Sequence, residues 1–335
     1  MNEPIKKIAV IGDGAWGTTL AVLLGKKNFP VNLWGPFPKY VQRVSRNRYN
    51  SKFLPGIRIP ASVTLEERLD RCIAEVDLII FAVPSKFTPA ILKKIKATKI
   101  NLKDKAFLSV TKGIDTTNLM RMSQIIENEL GKIPLAVLSG PTIAIEVAKG
   151  IPSTAVIASP NSKLAKRIQA VINCETFRIY TNTDIIGVEL GGSIKNIIAL
   201  ACGVCDGLGF GTNTKAAILT RGLTEMARLG KILGARNSTF AGLSGLGDLA
   251  TTCFSPQSRN RTVEEQLGKG KSLKEIMEKM ESVAEGVETV KAVYKLAQKH
   301  KLSMPITTEI YNILYNRKTP AKAVADLMTR KVKAE

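Results

Sequence analysis

Gly12-Asp13-Gly14-Ala15-Trp16-Gly17 constrains what this chain can fold into more than any other stretch of its 335 residues. The glycines follow a short apolar run, Lys7–Ile11, and open an amphipathic window, Thr18–Lys27. In a strand–turn–helix of this kind Gly12 permits the tight turn. Gly14 lets a pyrophosphate approach the backbone, and Gly17 lets the helix pack on the strand. The helix start then offers unpaired N–H groups and a partial positive charge to phosphates. The spacing therefore predicts a dinucleotide site on a Rossmann-type α/β sheet.

The rest of the chain fits that frame. Apolar runs at Val31–Trp34, Leu78–Val83, Phe107–Val110, Leu135–Leu138, Thr154–Ala158 and Phe177–Tyr180 alternate with helical windows such as Lys86–Ala97 and Leu119–Leu130. Strands separated by helix-length segments imply βαβ units and a mostly parallel sheet covered by helices. From about Asp184 the strand signals stop and helical windows follow: Gly187–Cys205, Asn213–Leu233, Ser258–Lys269, Leu273–Met280, Gly286–His300 and Pro305–Asn316. Thr319-Pro320 opens a last helix with proline at its first position. The expected organisation is a Rossmann-like domain over residues 1–184 and an all-α domain over 185–335.

Composition narrows the function classes. At 44% hydrophobic and 23% charged residues the chain has the makings of a folded core. The longest uninterrupted apolar run, Ile197–Cys205, falls far short of the ~20 residues of a membrane helix. The run Ile8–Ile11 enters a glycine turn with Asp13, unlike a secretion signal. Five scattered cysteines are an odd set rather than a disulfide framework, as expected of reduced thiols in a cytoplasmic protein. Lys and Arg number 49 against 28 acids, a net charge of +21, which favours anionic partners such as phosphorylated small molecules. Aromatic residues make up only 5% and no nucleic-acid motif is present, so nucleic acid is not the expected partner.

The acid that usually ends the second strand and holds the adenosine ribose is missing, since no Asp or Glu occurs between Asp13 and Glu66. Val31–Trp34 runs instead into Gly35-Pro36-Phe37-Pro38-Lys39, with Arg43, Arg46 and Arg48 beyond. Cations there suit a 2′-phosphate, so the residues lean toward NADP or dual use.

Proton chemistry has few candidates. The single histidine, His300, sits in Lys299-His300-Lys301 and is expected to face solvent, which leaves lysine as the natural acid/base. Lys195, in Glu189-Leu190-Gly191-Gly192-Ser193-Ile194-Lys195-Asn196-Ile197, lies among small and apolar residues on what should be a core helix. A lysine buried there must be paired or desolvated, and burial lowers its pKa toward the working range. Ser258-Arg259-Asn260-Arg261 presents donors at the start of a helical run, suited to a phosphate or carboxylate but equally to a plain cap. Ser139-Gly140-Pro141-Thr142 and Thr111-Lys112-Gly113 both follow strands, where open α/β sheets bind ligands. Cys202-x-x-Cys205 has no second pair or nearby histidine, so no metal site is expected.

In order along the chain, these segments closely resemble the bacterial-type NAD(P)-dependent glycerol-3-phosphate dehydrogenases. The likeness runs from Ile8 to about Tyr315. It includes the glycine turn with Trp16 and Thr18, Phe53-Leu54-Pro55-Gly56, Val83-Pro84-Ser85, Thr111-Lys112-Gly113 and Leu138–Thr142. It continues through Gly187–Gly192, Lys195-Asn196, Leu243–Leu249, Ser258–Arg261, Glu285-Gly286 and Met304-Pro305-Ile306. The resemblance implies reversible hydride transfer between sn-glycerol 3-phosphate and dihydroxyacetone phosphate with NAD(P)H and no metal, in a cytoplasmic homodimer supplying phospholipid synthesis. By matching position it makes Lys195 the general acid/base. Substrate would be held by Lys112, Gly140, Thr142, Lys195, Asp248, Ser258, Arg259 and Asn260. Cofactor would meet Gly12, Gly14, Ala15, Trp16, Gly17, Lys112, Ala144, Arg259, Val283 and Glu285.

Two departures stand out. Asp13 puts a carboxylate in the glycine turn where relatives often have a small residue, and it is expected to point away from the pyrophosphate. Pro36 takes the place of an arginine or histidine that many relatives carry near the adenosine end. The rival enzyme class is another lysine-dependent NAD(P) dehydrogenase of a 3-hydroxyacid or phosphogluconate type, which should lack Ser258–Arg261 and the Leu246-Gly247-Asp248 loop together.

Overall fold

A computed structural model describes residues 4–254 and 285–332. Among these residues the chain divides into two compact units. One takes the residues up to Lys112 together with Arg121–Glu189. The other takes Gly113–Met120 and the residues from Leu190 onward. Sequence periodicity put the division at 184/185; the structure puts it five residues later, inside a helix, and gives the second unit a short excursion that follows the fifth strand.

The first unit is an eight-stranded sheet ordered β3-β2-β1-β4-β5-β6-β7-β8. Its first six strands, β1 (Ile8–Ile11), β2 (Val31–Trp34), β3 (Val63–Glu66), β4 (Leu78–Phe81), β5 (Ala106–Ser109) and β6 (Leu135–Ser139), are parallel. β7 (Ser153–Ala158) runs antiparallel to β6, and β8 (Phe177–Asn182) is parallel to β7. Strand order 3-2-1-4-5-6 is the doubly wound arrangement, in which the order of the parallel strands reverses between β1 and β4 and leaves a crevice at their carboxyl ends. β1, β4 and β5 are buried at every position, because helices cover both faces of the sheet. Helix α1 (Ala15–Lys26) contributes Leu20, Ala21 and Leu24 to that core.

The two sheet margins are polar. β3 exposes Thr64, and β8 alternates buried Phe177 and Ile179 with exposed Arg178 and Tyr180. At the β3 margin Arg48 ends α2 (Pro38–Asn47) in a left-handed conformation, φ 59°. Its guanidinium donates to the carbonyls of Ile59, Pro60 and Val63. The Ser62 carbonyl faces β2, so that of Val63 faces outward and is the one Arg48 occupies.

The described residues of the second unit from Leu190 onward are mostly helical, while its segment Gly113–Met120 is turn and loop. Its spine is α8 (Ile185–Gly207), a 23-residue helix whose mean hydropathy of 1.5 over its most apolar window would suit a membrane; 89% of that window is buried inside the protein. Length and apolarity here belong to a core helix. α9 (Thr212–Ile232), α10 (Asn237–Phe240), a π-turn at Leu243–Gly247 and α11 (Asp248–Phe254) follow. Helices Glu285–Lys299, Pro305–Tyr315 and Pro320–Met328 close the unit. The buried carboxylate of Glu225 on α9 accepts the N–H groups of Ile306 (2.6 Å) and Thr307 (3.1 Å) and the Thr307 hydroxyl, capping a helix that begins with proline. Thr319 caps the last helix through Lys322 N–H, as its Thr-Pro pair predicts. The helical windows Ser258–Lys269 and Leu273–Met280 lie outside the described residues.

Candidate active site

In the first unit the glycine turn is built as its spacing requires. Gly12 has φ 115°, and a Cβ there would meet the Ala82 carbonyl oxygen at 2.6 Å. A Cβ on Gly17 would stand 1.9 Å from the Gly12 carbonyl oxygen, so helix and turn are in direct backbone contact. Gly14 is different: a Cβ there meets nothing within 4 Å. It begins α1 without a side-chain cap, and the first helical turn contains no acid. Free N–H groups at a helix start beside open space are what an anion needs. The residues present thus fit a dinucleotide pyrophosphate. Ala15 is buried, while Trp16 packs edge-on against Phe177 with ring centres 6.1 Å apart.

The turn is braced from behind. The Asp13 carbonyl accepts both the Thr18 hydroxyl (3.1 Å) and the Asn50 side-chain amide (2.7 Å), and Tyr40 in turn donates to Asn50 (2.6 Å). The Asp13 carboxyl is buried, and one of its oxygens, Oδ2, has no hydrogen-bond partner among the described residues. Burial pushes its pKa up from 3.8 to about 6, with its own backbone N–H opposing that rise.

The same unit gathers the expected residues at the ends of β5 and β6. Lys112 donates to the Gly140 carbonyl (3.2 Å), and the Thr142 hydroxyl donates to that same oxygen (3.2 Å). Gly140 needs its left-handed φ of 145°, and a Cβ would meet Ala155 Cα at 2.9 Å. Ala144 opens α6 (Ala144–Lys149), and its carbonyl accepts the Thr19 hydroxyl of α1 (3.0 Å). Ser139–Thr142 itself is not helical: the helix that follows starts after Ile143 and has no side-chain cap.

In the second unit Lys195 is 8% exposed on α8, and its ammonium is ion-paired with Asp248 at the start of α11. It also donates to the Thr252 hydroxyl at 2.8 Å. Thr252 lies one turn beyond Asp248 and returns its own proton to the Asp248 carbonyl (2.7 Å), so one face of α11 supplies both partners. Close packing makes this possible. A Cβ on Gly191 would stand 2.4 Å from the Ser244 carbonyl oxygen, and one on Gly245 would stand 2.0 Å from the Phe240 carbonyl oxygen. A buried amine with an ion-pair partner and a hydroxyl relay can hold and move a proton while excluding bulk water.

Sequence reasoning nominated Lys195 and Asp248 separately and missed Thr252. The only signal for Thr252 was its i+4 spacing from Asp248. Ser258, Arg259, Asn260 and Val283 lie outside the described residues, as does the side chain of Glu285, although its helix is described. His300, expected to face solvent, is only partly exposed at the end of helix Glu285–Lys299. Among the described residues no cluster of three His, Cys, Asp or Glu side chains is arranged to hold a metal.

The doubly wound sheet order and the uncapped glycine turn are features of dinucleotide-binding Rossmann-type proteins. Family profiles match nearly all of the chain, as the N-terminal part (residues 7–165) and the C-terminal part (residues 184–325) of NAD-dependent glycerol-3-phosphate dehydrogenase. A protein named glycerol-3-phosphate dehydrogenase [NAD(P)+] from Chlorobium luteolum is 46% identical over 332 residues, 98% of this chain and 99% of its own length. One of the same name from Prosthecochloris aestuarii is 45% identical over 331 residues, with the same coverage. The crystal structure of glycerol-3-phosphate dehydrogenase from Coxiella burnetii superposes with a TM-score of 0.93 at 38% identity, covering 97% of this chain and 99% of that one. The chain belongs to the NAD(P)-dependent glycerol-3-phosphate dehydrogenases. These matches support that family and not the 3-hydroxyacid or phosphogluconate type.

Proposed function

We propose that Lys195 is the proton donor and acceptor in the reversible reduction of dihydroxyacetone phosphate to sn-glycerol 3-phosphate, with Asp248 and Thr252 holding its amine in place. The observation that carries this reading is the Lys195–Asp248–Thr252 cluster, buried in a helical unit of a dinucleotide-binding chain. The nicotinamide of bound NAD(P)H supplies the hydride. In the reducing direction the Lys195 ammonium hydrogen-bonds the ketone oxygen and gives it a proton as negative charge develops there. In the reverse direction the neutral amine removes the hydroxyl proton.

Lys112, Gly140 and Thr142 form the second group of substrate contacts, supported by their convergence on one carbonyl in the first unit. Ser258, Arg259 and Asn260 are the phosphate clamp on the strength of the family likeness. Anchoring the unreactive phosphate turns binding energy into orientation at the reacting carbon. Gly12, Gly14, Ala15, Trp16 and Gly17 cradle the cofactor, with Ala144, Val283, Glu285 and Arg259 lining it. The family's homodimeric state and cytoplasmic location are proposed for this chain as well.

Initial rates of nicotinamide oxidation with dihydroxyacetone phosphate, compared with unphosphorylated dihydroxyacetone and 3-hydroxyacid-type substrates, test this. The phosphorylated ketone should be turned over fastest. Arg259→Ala should raise its KM by roughly tenfold or more, as expected for losing a charged contact. Preference for an unphosphorylated substrate would overturn the reading.

A further inference from the structure

The end of β2 is where Rossmann-type proteins read the adenosine ribose: an acid about 20 residues past the glycine turn accepts from the 2′-hydroxyl, or a cation replaces it for a 2′-phosphate. This chain has neither an Asp nor a Glu on β2 or in the residues that follow it up to Glu66. An acid nevertheless stands there. The Asp13 carboxyl lies against Gly35, the first residue past β2: a Cβ on Gly35 would come within 2.3 Å of Oδ2, 2.4 Å of Cγ and 2.8 Å of Oδ1. Only glycine at position 35 leaves that space to the carboxyl.

Three further observations bear on its role. The Asp13 residue is 7% exposed, yet Oδ2 has no hydrogen-bond partner among the described residues. A buried acceptor left unmade is costly, and such groups are rare in native structures unless something else completes them. The backbone under it is fixed, because Thr18 and Asn50 both hold the Asp13 carbonyl. Finally, two of the arginines suited to a 2′-phosphate are engaged elsewhere. Arg48 serves the carbonyls of Ile59, Pro60 and Val63, and the Arg43 guanidinium lies over the Tyr40 ring, 4.8 Å from its centre.

We propose that Asp13, reaching across from the glycine turn, replaces the missing β2 acid: its carboxylate accepts the adenosine ribose 2′-hydroxyl and sets this chain's preference for NAD over NADP. This rests on the dinucleotide reading of the turn and departs from the lean toward NADP or dual use drawn from the nearby cations. The same carboxylate repels a 2′-phosphate, so one group both selects the hydroxyl and rejects the phosphate. Asp13 is a specificity-determining residue here, and the chemistry at the nicotinamide does not involve it.

Equilibrium titration of the full chain with NADH, NADPH and 2′-deoxy-NADH, followed by nicotinamide fluorescence, tests the proposal without turnover. The wild type should bind NADH about tenfold or more tighter than either NADPH or the deoxy analogue, the size of a charge-assisted hydrogen bond. Asp13→Ser and Asp13→Asn should bring the NADH-to-NADPH ratio to within about threefold, chiefly by improving NADPH. Gly35→Ala, which displaces the carboxyl while leaving it in the chain, should reproduce that loss of discrimination. Circular dichroism and Tm establish that each variant is folded. Wild-type protein that binds NADPH as tightly as NADH, or folded Asp13 variants that keep the wild-type ratio, would overturn the role of Asp13 alone. Failure to bind either dinucleotide would instead overturn the dinucleotide reading beneath it.

Discussion

The glycine turn and the Lys195 cluster solve opposite problems. The turn is made of main chain: Gly12 and Gly17 are pinned by backbone carbonyls, while Gly14 faces open space at an uncapped helix start. Among the described residues no side chain caps that helix start, which leaves its N–H groups for a ligand. The Lys195 cluster is made of side chains that have already found each other, with Asp248 and Thr252 holding the amine. For the turn, proposed as a cofactor site, preformed donors suit a stable ligand. For Lys195, proposed as the proton-transfer group, a held charge and a fixed rotamer before substrate arrives suit the chemistry.

That contrast predicts different failures. Lys195→Ala should reduce turnover by at least ~10²–10⁴, the range for losing a general acid/base, with NADH binding within about twofold of wild type. Residual turnover near wild type, read in a stopped assay, would break the division of labour. Asp248→Asn leaves a buried ammonium without its counter-charge, which should cost roughly 3–5 kcal/mol in urea unfolding and lower turnover as well. If stability is unchanged, the pair is not the support described here.

The turn should also respond to pH. The Asp13 carboxyl keeps its proton up to about pH 6 in the fold but only to about 3.8 when unfolded. The folded state therefore binds more protons across that window, and stability falls as pH rises from about 4 to 6 and is level above it. At about 1.4 kcal/mol per pKa unit the fall is roughly 3 kcal/mol. Asp13→Asn should remove it, so the variant's stability relative to wild type rises between pH 4 and 7. A difference that does not change with pH would contradict the burial of that group. Gly17→Ala sharpens the comparison with the smallest effect. The added methyl, 1.9 Å from the Gly12 carbonyl oxygen, should cost about 1–3 kcal/mol and weaken NADH binding while leaving the second unit intact. Tm and fluorescence titration read both.

What the sequence disclosed follows the same split. Motifs that act through backbone spacing were plain: the glycine turn, the apolar strands that became β1, β2 and β4 to β8, and the Thr-Pro start of the last helix. β3 escaped because Thr64 and Glu66 interrupt its apolar character at a sheet margin. The reversal of β7 also escaped, since strand direction is set by pairing rather than composition. Lys195 stood out by its apolar neighbours, but its partner lies 53 residues away and no periodicity links them. Asp13 was expected to point away from the pyrophosphate. The structure shows where it goes, and the clue in the chain was a glycine at 35, legible only once β2 and the turn are side by side.

Arg48 carries one more consequence. By occupying the outward carbonyl of Val63 it plugs the margin of the sheet where another extended segment would otherwise dock, and at the opposite margin exposed Arg178 places a charge on β8. Unguarded margins of this kind nucleate runaway stacking of chains. At the β8 margin the outward carbonyl and N–H of Ile179 are met by the Gln169 and Asn173 side chains, so at both ends of the sheet the protein satisfies edge groups with its own side chains.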